Sequence, residues 1–347
     1  MARPKSNRIT IGDIARAAGV SQTTVSFFLN GKRDRMAKET SERIARIIEE
    51  TGYRPSSSAR GTVSRKSGLI AVICDGVTDI RGAQMVHGIE GAASERGYRV
   101  LSCMTNHDRE REAAYIERLL DLGVDGIVIK PTASFKQISS LVESRGRGLV
   151  FIEPGVYSDH ANWVKTNNYD ATYSAISECV ARGYRRFVRV AADPHYLGSL
   201  VERHAGFDDA LAAAGLPTQD YAVEGREVEP TALAEFFRRQ LEAADAEAGE
   251  GQADPILVFV PNGWLLPTVY RAMLELRTHV PERIGLLGYD NEDWTGLATP
   301  SISAIEQPAF EEGREACNML LDIVSGKKRT QGHRTFESTV AWRGTTL

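Results

Sequence analysis

IGDIARAAGVSQTTVSFFLNGK, residues 11–32, is the stretch that decides how the first part of this 347-residue chain folds. Thr10 stands where a residue that caps the start of a helix is expected, and apolar residues follow it at helical spacing. Gly19 supplies a tight turn, and Ser21 predicts the cap of a second helix over about residues 22–29. Two short helices joined by such a turn are typical of a helix-turn-helix motif.

A third helix is expected over residues 38–50, because isoleucines recur on one face and Gly52 follows as a terminator. Apolar side chains of these helices then form a small core. Its expected members are Val20, Val25, Phe28, Leu29, Ile44, Ile47 and Ile48. We therefore expect a helical head over residues 1–54, followed by a serine-rich, basic linker over residues 55–67.

Charge is divided unevenly along the chain. Residues 1–66 hold 14 Lys and Arg against 6 Asp and Glu, whereas the other 281 residues hold 28 against 40. A small basic head on a large acidic body suggests that the head binds a polyanion. The alternative at this point is that a short segment differs in charge by chance.

Composition excludes several classes of protein. The chain is 42% hydrophobic and 25% charged, which is close to the average of globular proteins. No apolar run approaches the ~18 residues of a membrane helix, and no secretory signal is present, so a soluble cytoplasmic protein is expected. The spacing of Cys74, Cys103, Cys179 and Cys317 argues against zinc and for small buried side chains. No cofactor is expected.

From residue 68 onwards, short apolar runs alternate with amphipathic helices. The expected strands cover residues 69–74, 98–103, 126–130, 148–153, 186–191, 221–224, 255–260 and 284–289. This alternation predicts an α/β fold, with parallel sheets covered by helices on both faces. So many units suit two doubly wound lobes with a cleft between them better than one sheet.

The residues that carry this organisation resemble a known family. The head contains AGVS, TVS and LN within residues 18–30, and GYRP follows at residues 52–55. The body contains GIEGAASERGY at 88–98, LGVDGIVI at 122–129, RHAGFDDALAAAGL at 203–216, GLLGYDN at 285–291 and IEQP at 305–308. Over about residues 8–345 the chain resembles the lactose/galactose repressor (LacI/GalR) family of transcriptional regulators.

The resemblance implies a body (residues 68–347) folded like the periplasmic sugar-binding proteins. The first lobe is then expected at about residues 68–167 and 307–332, and the second at about 168–306 and 333–347. The resemblance also implies a homodimer on a pseudo-palindromic operator in double-stranded DNA, with a small sugar-type effector in the cleft. We expect a repressor of carbohydrate-utilisation genes, and the sequence leaves open whether the effector releases or recruits it. Because the last residues hold no leucine heptads, a dimer rather than a tetramer is expected.

The second helix of a helix-turn-helix lies in the major groove with its N-terminal residues at base edges. The expected base-reading residues are therefore Ser21, Gln22, Thr23 and Ser26, and Gln22 suits a paired hydrogen bond with adenine. Many family members carry an arginine after TVS that contacts guanine. This chain has Phe27 there, which either touches a thymine methyl group or packs.

The expected contacts to DNA phosphates are Thr10, Asn30, Lys32, Arg33 and Tyr53, and Arg35 is a further candidate. The alternative for the basic residues is a solvated loop of charge. The loop over residues 31–37 is one residue longer than in the lactose repressor, so contacts there cannot be transferred.

The resemblance implies that the linker forms a hinge helix in the minor groove when DNA is bound. The expected hinge residues are Ser56, Ala59, Arg60, Thr62 and Val63. Family members often place a wedging leucine where this chain has Thr62. Either Val63 replaces the wedge, or the operator is bent less.

Ligands of open α/β sheets bind beyond the carboxyl ends of the strands, where this chain repeatedly places polar residues. The resemblance puts Glu153, Arg203, Asn262 and Asp290 where the family's effector-binding residues lie. The full expected effector set is Asp75, Arg81, Glu153, Tyr196, Arg203, Asn262, Trp264 and Asp290.

The class of effector stays open between a sugar, a sugar acid and a sugar phosphate. Arg81 together with Arg203 would suit a carboxylate or a phosphate, although Arg81 is equally expected as a solvated residue. Trp264 and Trp294 either stack on a sugar ring or pack in the core.

Two other classes of protein were weighed. No motif of an enzyme is present: the chain has no nucleophile elbow, no P-loop and no clustered Cys and His set. A transport-type sugar-binding protein would fit the body but leaves the basic head unexplained. The head therefore favours a DNA-binding regulator.

Overall fold

The computed structural model describes residues 9–29, 31–53, 66–76, 80–132, 135–154, 161–193, 198–225, 228–327 and 332–347. Its internal contacts divide the chain into two units, residues 1–67 and residues 68–347. The first unit contains the head, and the second is the body.

The head is built from α1 (Ile11–Ala18), α2 (Gln22–Leu29) and α3 (Lys38–Thr51), with a 3₁₀ turn at Arg33–Arg35. Thr10 caps α1 in a capping box: its Oγ1 accepts from the Asp13 amide at 3.3 Å, and the Asp13 carboxylate accepts from the Thr10 amide at 2.9 Å. Gly19 and Gly52 end α1 and α3 in the left-handed conformation. All three helices are confirmed.

The head core contains the residues expected from the sequence and a few more. Its buried members are Ile14, Ala15, Ala18, Val25, Phe28, Ile44 and Tyr53. Val20, Leu29, Ile47 and Ile48 pack at its margin and are partly buried. Small alanines on α1 let the three short helices approach closely, which such a small core requires.

The first lobe is one six-stranded sheet. Its strands are β1 (Leu69–Cys74), β2 (Arg99–Met104), β3 (Gly126–Ile129), β4 (Gly148–Ile152), β5 (Trp163–Thr166) and β11 (His333–Phe336). They lie in the order β11-β5-β4-β3-β1-β2, and all described pairs are parallel. The helices are α4 (Ile80–Glu95), α5 (Arg109–Asp121), α6 (Phe135–Ser144) and α12 (Ala309–Val324).

The second lobe repeats this plan. Its strands are β6 (Arg186–Ala192), β7 (Thr218–Val223), β8 (Ile256–Val260), β9 (Ile284–Tyr289), β10 (Ser303–Glu306) and β12 (Thr339–Ala341). They lie in the order β12-β10-β9-β8-β6-β7, and β12 is antiparallel to β10. The helices are α7 (Asn168–Ala181), α8 (Gly198–Ala214), α9 (Pro230–Ala248), α10 (Leu266–Met273) and α11 (Asp293–Leu297).

All eight expected strands exist, two of them (β1 and β9) with the expected ends and six with shifted ends, and the α/β fold with two doubly wound lobes is confirmed. The sequence analysis missed β5, β10, β11 and β12, which have only three or four residues each and so show little alternation. Because β11 pairs with β5 in the first sheet, the expected lobe boundary at residue 333 is wrong. The chain returns to the second lobe between β11 and β12.

Each sheet has a switch point beside its first strand, between β1 and β3 and between β6 and β8. Such a point opens a crevice beyond the carboxyl ends of the strands. Asp75 and Lys130 follow β1 and β3, and Asn262 and Asp290 come after β8 and β9. The fold therefore brings polar residues of both lobes to the two crevices.

Helices α4 and α12 cross at two glycines. A Cβ atom on Gly88 would lie 2.1 Å from the carbonyl oxygen of Phe310, and one on Gly313 would lie 2.1 Å from that of Met85. No larger residue fits without moving a backbone. This close crossing places the start of α12, with Glu312, beside the start of α4, with Arg81.

Candidate functional sites

The face of α2 that was expected to read bases is partly exposed. Ser21, Gln22 and Thr23 are exposed, whereas Ser26 and Phe27 are half-buried. Because positions three and four apart are neighbours on a helix, these side chains share one side of α2. The Ser21 hydroxyl accepts from the amide of Thr24 at 3.1 Å, so it also caps the helix.

Two arginines of the 3₁₀ turn lie against the two phenylalanines of α2. The Arg33 guanidinium is 4.7 Å from the ring centre of Phe28, and that of Arg35 is 5.4 Å from the ring centre of Phe27. Phe28 is buried in the head core, whereas Phe27 stays half-buried at the edge of the reading side. Both contacts fit the geometry of a cation–π interaction.

The expected phosphate-contacting residues differ in their surroundings. Thr10 is exposed and its hydroxyl donates to the Asp13 carboxylate at 2.6 Å, Arg33 is exposed, and Lys32 is half-buried. Tyr53 is only 8% exposed and belongs to the head core, so packing explains its position without DNA. Asn30 lies outside the described residues. The hinge residues Ser56, Ala59, Arg60, Thr62 and Val63 also lie outside them.

A cavity of about 390 Å³ lies between the carboxyl ends of the two sheets in the body. Its wall includes six of the eight residues expected to bind an effector: Asp75, Arg81, Arg203, Asn262, Trp264 and Asp290. Both lobes therefore contribute to one cavity of the size that holds a small ligand. Tyr196 lies outside the described residues, and Glu153 lies behind the wall.

An ion-paired cluster forms the first-lobe wall. Asp75 Oδ2 lies 2.7 Å from Lys130 Nζ, and Asp75 Oδ1 lies 3.2 Å from His107 Nδ1. Burial raises the pKa of the Asp75 carboxyl, but the charges of Lys130 and His107 outweigh burial and hold it well below its usual range. Neither Lys130 nor His107 was expected from the sequence, although Lys130 is the last residue of the expected strand at residues 126–130 and directly follows β3.

Arg81 joins the cavity wall to two buried carboxylates. Its Nη2 lies 3.3 Å from Glu153 Oε1 and 2.9 Å from Glu312 Oε2, and both glutamates have side-chain exposures of 1% or less. Burial and the neighbouring Glu153 carboxylate raise the pKa of Glu312 to about 8, against the opposing charge of Arg81. Burial also raises the pKa of Glu153, but Arg81 and hydrogen bonds from Thr166 outweigh it and lower that pKa.

Arg203 is the buried cation of the second-lobe wall, with an exposure of 5%. Its Nε donates to Asn168 Oδ1 at 2.9 Å, and its Nη1 donates to the carbonyl of Pro261 at 2.6 Å. The guanidinium also stacks 3.6 Å above the ring centre of Tyr289. These contacts fix the plane of the guanidinium at the cavity wall.

Polar contacts connect the cavity wall to the segments that join the lobes. The Thr166 hydroxyl lies 2.8 Å from Glu153 Oε1 and 2.9 Å from Gln307 Oε1, and Gln307 Nε2 donates to the carboxylate of Asp290. Thr166 and Gln307 stand at the ends of β5 and β10, where the chain crosses between lobes. A continuous path of polar contacts therefore runs from Arg81 to Asp290 through the two crossings that Thr166 and Gln307 mark.

The two tryptophans have different places. Trp264 lines the cavity in the 3₁₀ turn Gly263–Leu265 and also packs against the second-lobe core. Trp294 packs against that core, is not among the cavity-lining residues, and donates its indole N–H to Glu292 at 2.9 Å. Glu292 itself lines the cavity and was missed by the sequence analysis. Of the two, Trp264 is the one placed to stack on a ligand.

The described part of the chain contains neither a membrane-spanning helix nor a cluster of metal-ligating residues. No helix there is both long and apolar enough to cross a membrane, and no group of three His, Cys, Asp or Glu residues is arranged to hold a metal ion. All four cysteines are free thiols; Cys74, Cys179 and Cys317 are buried as expected, whereas Cys103 is only half-buried.

Comparison with known proteins matches both parts of the chain. The model of the lacI family of bacterial regulatory proteins matches residues 10–56, and that of a periplasmic binding protein-like domain matches residues 176–346. The HTH-type transcriptional regulator PtxS of Pseudomonas putida is 28% identical, with 98% of this chain and 96% of that protein covered. The regulator KdgR of Bacillus subtilis is 25% identical, with 99% of each chain covered.

The fold is that of a solved repressor. The crystal structure of the Lac repressor dimer bound to operator and the anti-inducer ONPF has a TM-score of 0.77 and 23% identity, with 98% of this chain and 100% of that chain covered. Its relatives are named transcriptional regulators, and the chain is a DNA-binding regulator rather than an enzyme. The helical head therefore matches the lacI family of bacterial regulatory proteins, and the two-lobed body matches a periplasmic binding protein-like domain.

Proposed function

We propose that this regulator represses carbohydrate-utilisation genes by binding a pseudo-palindromic operator as a homodimer, and that a small sugar-type effector controls it from the cavity of the body. The observation that carries the proposal is the cavity itself. Polar residues from both lobes converge there at the switch points of the two sheets.

The proposed mechanism follows from the position of the cavity. An effector that contacts Arg81 or Asp75 on one side and Arg203 or Asp290 on the other binds best at one separation of the lobes. A ligand shifts an equilibrium by its difference in affinity for the two states, so occupancy favours that separation. The path through Thr166 and Gln307 would carry the change to the segments that join the lobes.

The three proposed classes of effector make different demands on the wall. A neutral sugar needs hydrogen-bonding groups such as Asn262 and Asp290 and an apolar face such as Trp264. An acid or a phosphate needs a cation. Since Arg81 is already paired with two glutamates, Arg203 is the stronger candidate to receive an anionic group.

We expect one compound from a panel of sugars, sugar acids and sugar phosphates to change operator affinity by about tenfold or more, the usual range of coupling between sites. Fluorescence anisotropy at fixed salt, with the DNA upstream of the gene, measures this change. Weaker binding identifies an inducer, and binding that appears only with a compound identifies a corepressor. Specific binding that no compound in the panel alters would contradict the proposed effector class.

We expect two copies of the 38.1-kDa chain to form the DNA-binding species. A homodimer presents two heads, and two-fold symmetry of the protein suits a pseudo-palindromic site. The Lac repressor was solved as a dimer on its operator, which supports this proposal. Size-exclusion chromatography with light scattering measures the mass directly. A mass of one chain or of four chains at working concentration would be inconsistent with it.

A further inference from the structure

The recognition helix α2 carries no charged residue: its sequence is QTTVSFFL. Guanine is most often recognised by arginine or lysine, which donates to its O6 and N7 atoms in the major groove. An uncharged helix therefore lacks the side chains that most often read guanine, and a neighbouring segment can supply such a cation beside it.

The 3₁₀ turn that follows α2 brings two arginines to the helix, but to different sides of it. Arg33 stacks on Phe28, which is buried in the head core, so its guanidinium covers the core side. Arg35 stacks on Phe27, which follows Thr23 by one helical turn and so lies on the expected reading side. Arg35 is exposed, whereas the ring beneath it is half-buried.

An aromatic ring under a guanidinium gives the arginine a defined plane. A guanidinium held 5.4 Å from the ring centre has less freedom to lose when it binds a planar partner. The Phe27 ring thus has a use beyond a thymine contact or simple packing.

We infer that Arg35 is a base-reading residue, and that Phe27 is the platform that positions its guanidinium beside Gln22 and Thr23 for a guanine in each half-site. The inference rests on the proposed binding of α2 in the major groove. The inference goes beyond that proposal because Arg35 lies outside α2, and the sequence predicts only a phosphate contact for it.

The two roles of an arginine differ in what they do to affinity. A phosphate contact strengthens binding to every DNA sequence, whereas a base contact strengthens binding to the operator alone. The ratio of operator affinity to scrambled-DNA affinity therefore separates them. A lysine at position 35 keeps the charge but loses the planar fork, which makes Arg35→Lys the matched control.

The test uses the full-length chain and the duplex that it selects from a randomised DNA pool, with a scrambled duplex of the same composition as reference. Anisotropy at fixed salt gives both affinities. We expect Arg35→Ala to lower operator affinity by about tenfold or more, with a much smaller loss on the scrambled duplex. Arg35→Lys should retain the scrambled affinity and lose only part of the operator preference, because an ammonium also donates to guanine but lacks the planar fork. Arg33→Ala should lower both affinities alike.

Substitutions of Phe27 test whether its ring positions the Arg35 guanidinium. Phe27→Ala should reproduce the loss of Arg35→Ala, the double variant should lose no more than either single one, and Phe27→Tyr should retain the preference. Repeating the selection with Arg35→Ala should relax one G·C position in each half-site. Equal losses on both duplexes, or additive effects of Phe27→Ala and Arg35→Ala, would overturn the inference.

The failure of this inference is distinct from failure of the proposed operator binding. If the unchanged protein does not prefer its selected duplex, base reading by α2 is itself wrong. If it does prefer that duplex and Arg35→Ala leaves the ratio unchanged, only the role of Arg35 is wrong. Circular dichroism melting of each variant shows that the head remains folded.

Discussion

Arg81→Ala should lower the free energy of unfolding of the body by about 3–5 kcal/mol near pH 8, because it removes the cation shared by two buried carboxylates. Arg81 Nη2 lies within 3.3 Å of both Glu153 and Glu312, whose side chains are essentially inaccessible to water. Removing one partner of a buried ion pair destabilises the fold by more than the intact pair stabilises it, because the remaining charge is left buried with neither water nor a counter-ion. Chemical denaturation followed by circular dichroism measures the change.

A second substitution tests the cause. Arg81→Ala combined with Glu312→Gln leaves one buried carboxylate instead of two, so much of the lost stability should return. Arg118→Ala, at an exposed position on α5, serves as the control and should change stability by no more than about 0.5 kcal/mol. An effect of Arg81→Ala as small as that of the control would refute the assigned pairing.

The same measurements across pH test the charge state of Glu312. Its pKa is about 8 in the folded protein and near its ordinary value of 4.5 when unfolded, so between these values the folded state holds a proton that the unfolded state has lost. Stability should therefore fall as pH rises through this window, and level off above it. Glu312→Gln should remove this contribution. Glu153, with its lowered pKa, acts in the opposite direction below about pH 4.5.

The sequence was sufficient to predict the helices and strands where several local signals agree. In the head, caps, glycine terminators and apolar spacing all point to the same helices, and Thr10 and Gly19 occupy the predicted positions. The longer strands of the body were equally predictable from the sequence, because parallel strands that are buried on both faces appear as apolar runs. Short strands such as β11, with one half-buried residue among four, give no such signal.

The cavity was only partly predictable, for a different reason. Polar residues that end a strand, such as Asp75 and Asp290, can be found from the sequence because the fold rule assigns them a place. Glu312 could not be found this way: it lies inside a helix, 231 residues from Arg81, and reaches it only because two glycines let α4 and α12 cross closely. Burial of a charged side chain is a tertiary property that composition does not reveal.

Arg203→Ala should weaken binding of the effector by about 10- to 100-fold, the usual cost of losing hydrogen bonds from a charged group, and leave operator binding without effector intact. Arg203 is fixed in the cavity wall by Asn168, the Pro261 carbonyl and the ring of Tyr289. Its contribution to binding therefore comes with little loss of side-chain freedom. Isothermal titration with the effector identified by the panel measures affinity, and anisotropy measures release from the operator.

A second buried arginine of the same lobe provides the control. Arg189, 7% exposed, is paired with Asp208 and Asp220 and does not line the cavity. Arg189→Lys should therefore lower stability without changing effector affinity, whereas Arg203→Lys should lower effector affinity because one ammonium cannot replace the planar fork. If both lysine variants changed the response equally, Arg203 would be a structural residue. If neither did, the effector would not contact the Arg203 guanidinium, and the proposed role of Arg203 in binding would be wrong.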